Sequence, residues 1–332
     1  MISGILLIDK PEGITSFEVV RRTRRALNLR KIGHLGTLDP FATGLLPLCL
    51  GEATKLAPYL LPGPKSYRAT LKLGEATDTQ DLTGRVVSRT EKLPLPEEVR
   101  RLAATLVGEI LQTPPMYSAL HYKGERLYRL ARRGETVELP PRAVTIYRLE
   151  VEKMEMPRVT FTVQCSQGTF IRTLAADLGA LLECGAHLET LRRLQVGAFR
   201  VEEALTLAAL EEAAAAGRDA PAALAEMLVA RIIRLSSCLP GVKQVAASPG
   251  EAAKLRQGQE IIRPPEDFTP EELVQILAAG QLLALARVRL RGAGVVLAPI
   301  RVFAAITEGA ARDQNGDGTC GAGIEAGERK NL

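Results

Sequence analysis

A chain of 332 residues, 46 % of them apolar, has room for two or more domains with real cores. Its net charge of +5 and pI near 9.0 suit a polyanionic partner without requiring one. No run approaches the roughly 18 apolar residues of a membrane span. The five cysteines (Cys49, Cys165, Cys184, Cys238, Cys320) form no C-x-x-C pair, which argues against a disulfide framework or zinc site and for reduced thiols in the cytoplasm.

In chain order, residues 5–8 read as a buried strand ending in the turn cluster D-K-P-E-G at 9–13. Thr15 and Glu18 fit a capping box that opens a helix, with Val19, Val20, Thr23, Ala26 and Leu27 towards one side. Arg21, Arg22, Arg24 and Arg25 form its polar remainder, a solvated face or, on a sharper reading, a phosphate-facing stripe. Residues 31–55 hold a loop with two close glycines, Gly33 and Gly36, one histidine, His34, and one aspartate, Asp39, followed by the apolar run 45–50. Pro40 biases Asp39 towards extended geometry, so the carboxylate and imidazole sit in a stiff, non-helical frame anchored in a core.

Residues 52–61 read as helical, stopped by P-G-P at 62–64, and 65–74 alternate as a strand with Tyr67 near its start. A polar loop (77–84) and a second strand (85–89) follow. Residues 96–108 predict an amphipathic helix burying Val99, Leu102, Ala103, Leu106 and Val107. Segment 112–136 is the most basic, with Lys123, Arg126, Arg129, Arg132 and Arg133 interleaved with Tyr117, Tyr122 and Tyr128. That mixture suits looped RNA, and a helix near 125–133 burying Leu127, Leu130 and Ala131 is compatible with it on the opposite face.

Residues 142–153 and 159–166 predict paired strands. Gly168 then opens a helix with Leu174, Leu178, Leu181 and Leu182 inward and Arg172 in its first turn. A cation there is disfavoured by the helix dipole unless it has a carboxylate partner. Another strand is expected at 188–196, and helices over 206–230 with a break near Gly217. Residues 236–241 read as a linker into a β-rich unit, 242–303, with runs at 255–259, 282–288 and 295–302. The polar segment 306–332 has a disordered composition. Its D-Q-N-G-D-G string at 313–318 imitates a calcium loop but has Ile324 where position twelve needs Glu, so no calcium site is expected.

Other active-site types fail on inventory. The three histidines (His34, His121, His187) form no metal pattern, and neither a G-x-S-x-G elbow nor a G-x-x-x-x-G-K-[ST] phosphate loop occurs. What remains is one carboxylate, one cationic partner and a few aromatics.

The string G-H-L-G-T-L-D-P-F-A-T-G at 33–44, continuing to G-E-A-T-K at 51–55, resembles the signature of the TruB family, the tRNA pseudouridine-55 synthases. P-P-M-Y-S-A at 114–119 and G-T-F-I-R-T at 168–173 are similar to further stretches of that family's pattern. The resemblance spans residues 4–200, and more loosely 240–303. It implies an α+β pseudouridine synthase fold with a mostly antiparallel central sheet and the cleft across it. The implied domains are a catalytic one over 1–235, a small β-rich PUA-like RNA-binding one over 240–303, and a tail from 304 to 332.

By the same resemblance Asp39 is the nucleophile and Arg172 its partner, keeping it ionised and oriented. Tyr67 stacks on the target base and helps in proton transfer. His34 takes the space left by the flipped nucleotide, Phe170 stands where tyrosine is common, and Leu191 contacts substrate. Lys10 and Pro11 form a structural edge of the cleft. The reaction needs no cofactor and no metal, because a uridine isomerisation imports no group and changes no oxidation state. The implied partner is the T stem-loop of tRNA, read by shape and bound by a monomer. A tRNA-folding chaperone that acts without chemistry would use the same surfaces. A glycosidase using Asp39 lacks an identifiable second carboxylate.

Overall fold

The structure of the protein, a computed structural model, describes residues 2–304 other than 61, 62, 119, 218, 219, 266 and 293. The polar segment 306–332 and its calcium-like string lie outside the described residues.

Eleven strands form one sheet. Its main path runs Leu205–Thr206, Gly4–Lys10, Thr43–Leu50, Ala186–Val196, Lys65–Leu73, Arg158–Cys165, Arg142–Glu155 and Gly108–Gln112. Neighbours on this path are antiparallel, except where Gly4–Lys10 meets Leu205–Thr206 and Thr43–Leu50 meets Ala186–Val196. The mostly antiparallel α+β architecture expected from the sequence is present. Its origin is visible in Lys65–Leu73, whose odd-numbered residues are all buried while the even-numbered ones are partly or fully exposed, the period of two that a half-covered strand demands. The covered face packs Tyr67, Ala69, Leu71, Phe161 and Val163 against Leu174 and Leu178 of the helix Ile171–Leu181 and Val99 and Ala103 of Pro96–Thr105. Farther along the sheet, Val19 and Val20 of the helix Ser16–Leu27 share a core with Leu6, Ile8, Leu46, Leu48, Leu207 and Leu210.

A second sheet of five strands, in the order Lys243–Ala246, Leu273–Ala278, Gln281–Arg291, Gly294–Val302, Ile261–Arg263, is the small C-terminal β unit. It shares a core with the first: Leu282, Leu285 and Phe303 pack with Ile5, Leu7, Leu45 and Cys49. The stretch 236–241, expected as a linker, is a packed joint instead. Cys238 and Leu239 are buried in that shared core, and Gln275 Nε2 donates to the Leu239 carbonyl. The apolar side chains of the stretch outweigh its turn-like composition.

Other departures are local. The helix Pro96–Thr105 ends early, leaving Val107 exposed, and the unanticipated edge strand Gly108–Gln112 follows. Leu181, in the last turn of its helix, faces solvent rather than the core. The run 255–259 is not a strand. It closes the helix Pro249–Arg256, which the Ser248–Glu251 capping box starts. At Thr15 only half of the expected box forms: Thr15 Oγ1 accepts from the Glu18 amide at 3.0 Å, while the Glu18 carboxylate turns to Arg21. Arg22 pairs with Glu211 and Arg24 donates to the Ile32 carbonyl, so much of the expected arginine face already has partners within the chain. No helix among the described residues is long and apolar enough to cross a membrane.

Gly44 shows how tightly the central strands approach. Its φ is +98°, and a Cβ there would lie 2.3 Å from the Arg193 carbonyl oxygen. Gly44→Ala must both adopt a left-handed conformation and push two central strands apart. Urea unfolding should show a loss of about 3 kcal/mol or more.

Candidate active site

Asp39 sits on a loop, residues 35–42, between the strands Ile32–His34 and Thr43–Leu50. The sequence makes this loop rigid through its backbone. Five consecutive carbonyls, 36 to 40, accept hydrogen bonds. Arg193 Nη2 and Nη1 donate to Gly36 and Thr37 at 3.0 and 3.3 Å. Ser16 Oγ donates to Leu38 at 3.0 Å, and the Ala42 amide donates to Asp39 at 3.1 Å. Pro40 takes both the Gly13 amide, at 2.8 Å, and Lys10 Nζ, at 3.1 Å. Leu38, Phe41 and Ala42 are buried in the main core and hold the loop from below. Lys10 is fully buried, and burial pulls its pKa down to about 8 against the opposing charges of Asp39 and Glu12. Its ammonium braces the Asp39 loop through that bond to the Pro40 carbonyl.

The guanidinium of Arg172 meets this loop. Arg172 is the second residue of the helix Ile171–Leu181, and its Nε lies 2.9 Å from Asp39 Oδ2. The carboxylate partner that the helix position demanded is therefore Asp39. The Arg172 side chain is 4 % exposed and that of Asp39 34 %, so the cation is sealed while the carboxylate keeps one edge open. Burial pushes the Asp39 carboxyl above its ordinary value, Arg172 holds it down, and a second carboxylate, Asp81, pushes it up again.

Asp81 is one residue that sequence reasoning missed. Its Oδ2 lies 3.3 Å from Arg172 Nη1, on the far side of the guanidinium from Asp39. Its Oδ1 accepts from Thr79 Oγ1, the Thr83 amide and Thr83 Oγ1 at 2.8, 2.9 and 2.5 Å. Arg172 also donates to the carbonyls of Thr79 and Tyr117 at 2.8 and 2.7 Å, so its orientation is set on every side. The local signal was a cluster of Thr and Asp, which ordinarily means side chains bonding their own turn. It does mean that here, and only the fold reveals the further contact. A second carboxylate thus exists, but it is 5 % exposed and fully engaged, so it cannot serve as the acid of a glycosidase.

Tyr67 and Leu191 lie on the sheet face beneath the loop. Arg193 is in register with Gly44 on one side and Tyr67 on the other, and Leu191 pairs with Ala69 on the same face. Both Tyr67 and Leu191 are 7 % exposed and belong to the main core. Burial raises the Tyr67 hydroxyl above the usual phenol range, with the neighbouring Arg193 opposing. His34 ends its short strand, half-buried, with Nδ1 lacking a hydrogen-bond partner. Burial and then the charge of Arg193 lower its pKa, so the ring is neutral at pH 7. Phe170 caps the Arg172 helix, and its amide and carbonyl are both held by the Gln112 side chain at 3.0 and 3.2 Å. Of the six expected residues, Asp39 and Arg172 are in direct contact, and Tyr67 and Leu191 share the core that holds the Asp39 loop. No group of His, Cys, Asp and Glu among the described residues is arranged for a metal.

The arrangement offers a fixed, partly open carboxylate, a sealed cation and an apolar wall with a phenol. The sequence profile described as TruB family pseudouridylate synthase, N-terminal domain, matches residues 24–171. That of the tRNA pseudouridylate synthase B C-terminal domain matches 172–232. Asp39 thus falls in the first profile and Arg172 opens the second. A protein of Geobacter sulfurreducens named tRNA pseudouridine synthase B is 44 % identical over 298 residues, 90 % of this chain and 92 % of its own length. One of the same name from Aromatoleum aromaticum is 48 % identical over 235 residues, 71 % of this chain and 76 % of its own. Among solved structures, a chain of an H/ACA RNP bound to a substrate RNA containing 2'-deoxyuridine superposes with a TM-score of 0.69 at 25 % identity, covering 91 % of this chain and 85 % of that one. A chain of a Cbf5-Nop10-Gar1 complex gives 0.66 at 26 %, covering 90 % and 84 %. With relatives this close along nine-tenths of its length, and with the aspartate and arginine of the two profiles joined by an ion pair, the chain belongs to the TruB family of pseudouridylate synthases.

Proposed function

We propose that this enzyme converts uridine 55, in the T loop of tRNA, to pseudouridine, with Asp39 as the nucleophile. The observation that carries the reading is the 2.9 Å contact between Arg172 Nε and Asp39 Oδ2 on a loop whose carbonyls 36 to 40 are all hydrogen-bonded. Pseudouridine is an isomer of uridine: a glycosidic C–N bond breaks, the uracil turns, a C–C bond forms, and one proton moves from ring carbon to ring nitrogen. No redox partner or group donor enters the balance.

A covalent bond from Asp39 to the nucleotide divides this difficult change into easier steps. Arg172 keeps the carboxylate aimed throughout. Tyr67 supports the flipped base and handles its proton, with Leu191 and Phe170 completing the wall. His34, neutral and without a partner at Nδ1, fills the stack where the nucleotide stood. Extrusion of a base costs a few kcal/mol, least in a loop, which favours a T-loop target over a paired stem.

In this reading residues 1–235 are the catalytic domain and 240–303 an RNA-binding domain of the PUA kind, in a cytoplasmic monomer. Arg287, Arg289 and Arg291 on the strand Gln281–Arg291 support the second assignment. The test is to treat unmodified tRNA transcripts with pure protein and map pseudouridine base by base. Modification confined to U55 is expected. Modification at another uridine, with U55 untouched, would refute the assigned position.

A further inference from the structure

Arg193 is 1 % exposed in the middle of the central sheet. Its Nε donates to the Leu45 carbonyl at 2.7 Å, its two terminal nitrogens hold the carbonyls of Gly36 and Thr37, and Tyr67 stands opposite it in the strand register. Among the described residues no carboxylate pairs with it. The titratable groups that feel its charge are Tyr67 and three bases, His34, Lys65 and Lys10. A buried cation without an acid costs stability, and an apolar residue would fill the same space at less cost. What an apolar residue cannot do is bridge: the guanidinium fork supplies five donors in one plane, whereas lysine concentrates three on one nitrogen.

We propose that Arg193 is a positioning residue of the isomerisation, tying the Asp39 loop to Tyr67 so that nucleophile and phenol keep one fixed separation. The guanidinium can only donate, so in this tie the Tyr67 oxygen accepts from it and the phenolic proton stays free for another acceptor. Gly44 lets this happen, because only a residue without a side chain allows the two strands to close up beside residue 193. The inference rests on the pseudouridine synthase reading above.

Single-turnover pseudouridine formation is measured with wild type, Arg193→Lys, Tyr67→Phe and the double variant, together with tRNA affinity. Wild-type activity tests the functional reading by itself. Given an active wild type, Arg193→Lys, which keeps the charge and loses the fork, is expected to slow the reaction at least about tenfold with affinity within about twofold. In the Tyr67→Phe background the same change should cost less than about threefold, because the partner is already gone. A rate within twofold of wild type, or equal losses in both backgrounds, would overturn the proposal, since a purely structural arginine does not distinguish them. Should Arg193→Lys fail to fold, Tyr67→Phe tests the contact from its other side. The buried guanidinium then loses one of its acceptors, and the melting midpoint should fall by several degrees; an unchanged midpoint would overturn the tie.

Discussion

Asp39→Asn should abolish pseudouridine formation, by about 10⁴-fold or more, while the protein folds and binds tRNA normally. The amide has nearly the shape of the carboxylate but is no nucleophile. The fold should tolerate the change because Arg172 retains Asp81 and the carbonyls of Thr79 and Tyr117. Affinity should hold or rise, since the substitution removes a negative charge from a cleft where Lys10 and Arg193 are buried and the ligand is a polyanion. Pseudouridine formation at the wild-type rate would end the assignment of Asp39 as nucleophile. The same variant separates catalysis from tRNA folding. If it restores growth to a strain lacking the enzyme, the cell needs the binding and not the modification.

The sheet was legible in the sequence wherever one face is covered, because alternation survives intact in 65–73 and 159–166 and, between two irregularities, over much of 142–153. The edge strand Gly108–Gln112 was not, since it is short and its outward face carries an apolar residue, Leu111, 72 % exposed, which masks the alternation. The second sheet was read only as texture. Its helix Pro249–Arg256 has two buried residues, too few for a periodic stripe, although the Ser248–Glu251 cap was there to be found. In the candidate site, Asp39 and Arg172 were legible through specific strings, and Tyr67 only as a position near the start of an alternating strand. Asp81 and Arg193 were not, because their roles are contacts between segments about 90 to 160 residues apart in sequence. A threonine-rich turn and a strand arginine look ordinary until the fold brings their partners.

Arg172→Lys should reduce the single-turnover rate by about 10²–10³-fold, the usual scale for removing one preorganised electrostatic contact, and should move the acid limb of the pH–rate profile to higher pH. Lysine cannot reach Asp39, Asp81 and two carbonyls from one nitrogen, so both carboxylates lose part of their counter-charge. The groups that face Asp39 are Arg172 and Lys10, which hold its carboxyl down, Asp81, which pushes it up, and Tyr67. Burial already lifts that carboxyl above its ordinary value, and weakening the main opposing charge lifts it further. In the proposed mechanism the reactive form is the carboxylate, so as pH falls the variant should lose activity earlier than wild type. Stability runs the other way: a carboxyl whose folded pKa is raised binds more protons folded than unfolded, so the variant should lose stability as pH rises between those two values. Rates from pH 5 to 8.5 at constant ionic strength, with melting midpoints at each pH, test both signs. A slower variant whose acid limb stays in place would mean that Arg172 acts on the substrate and not through the charge on Asp39.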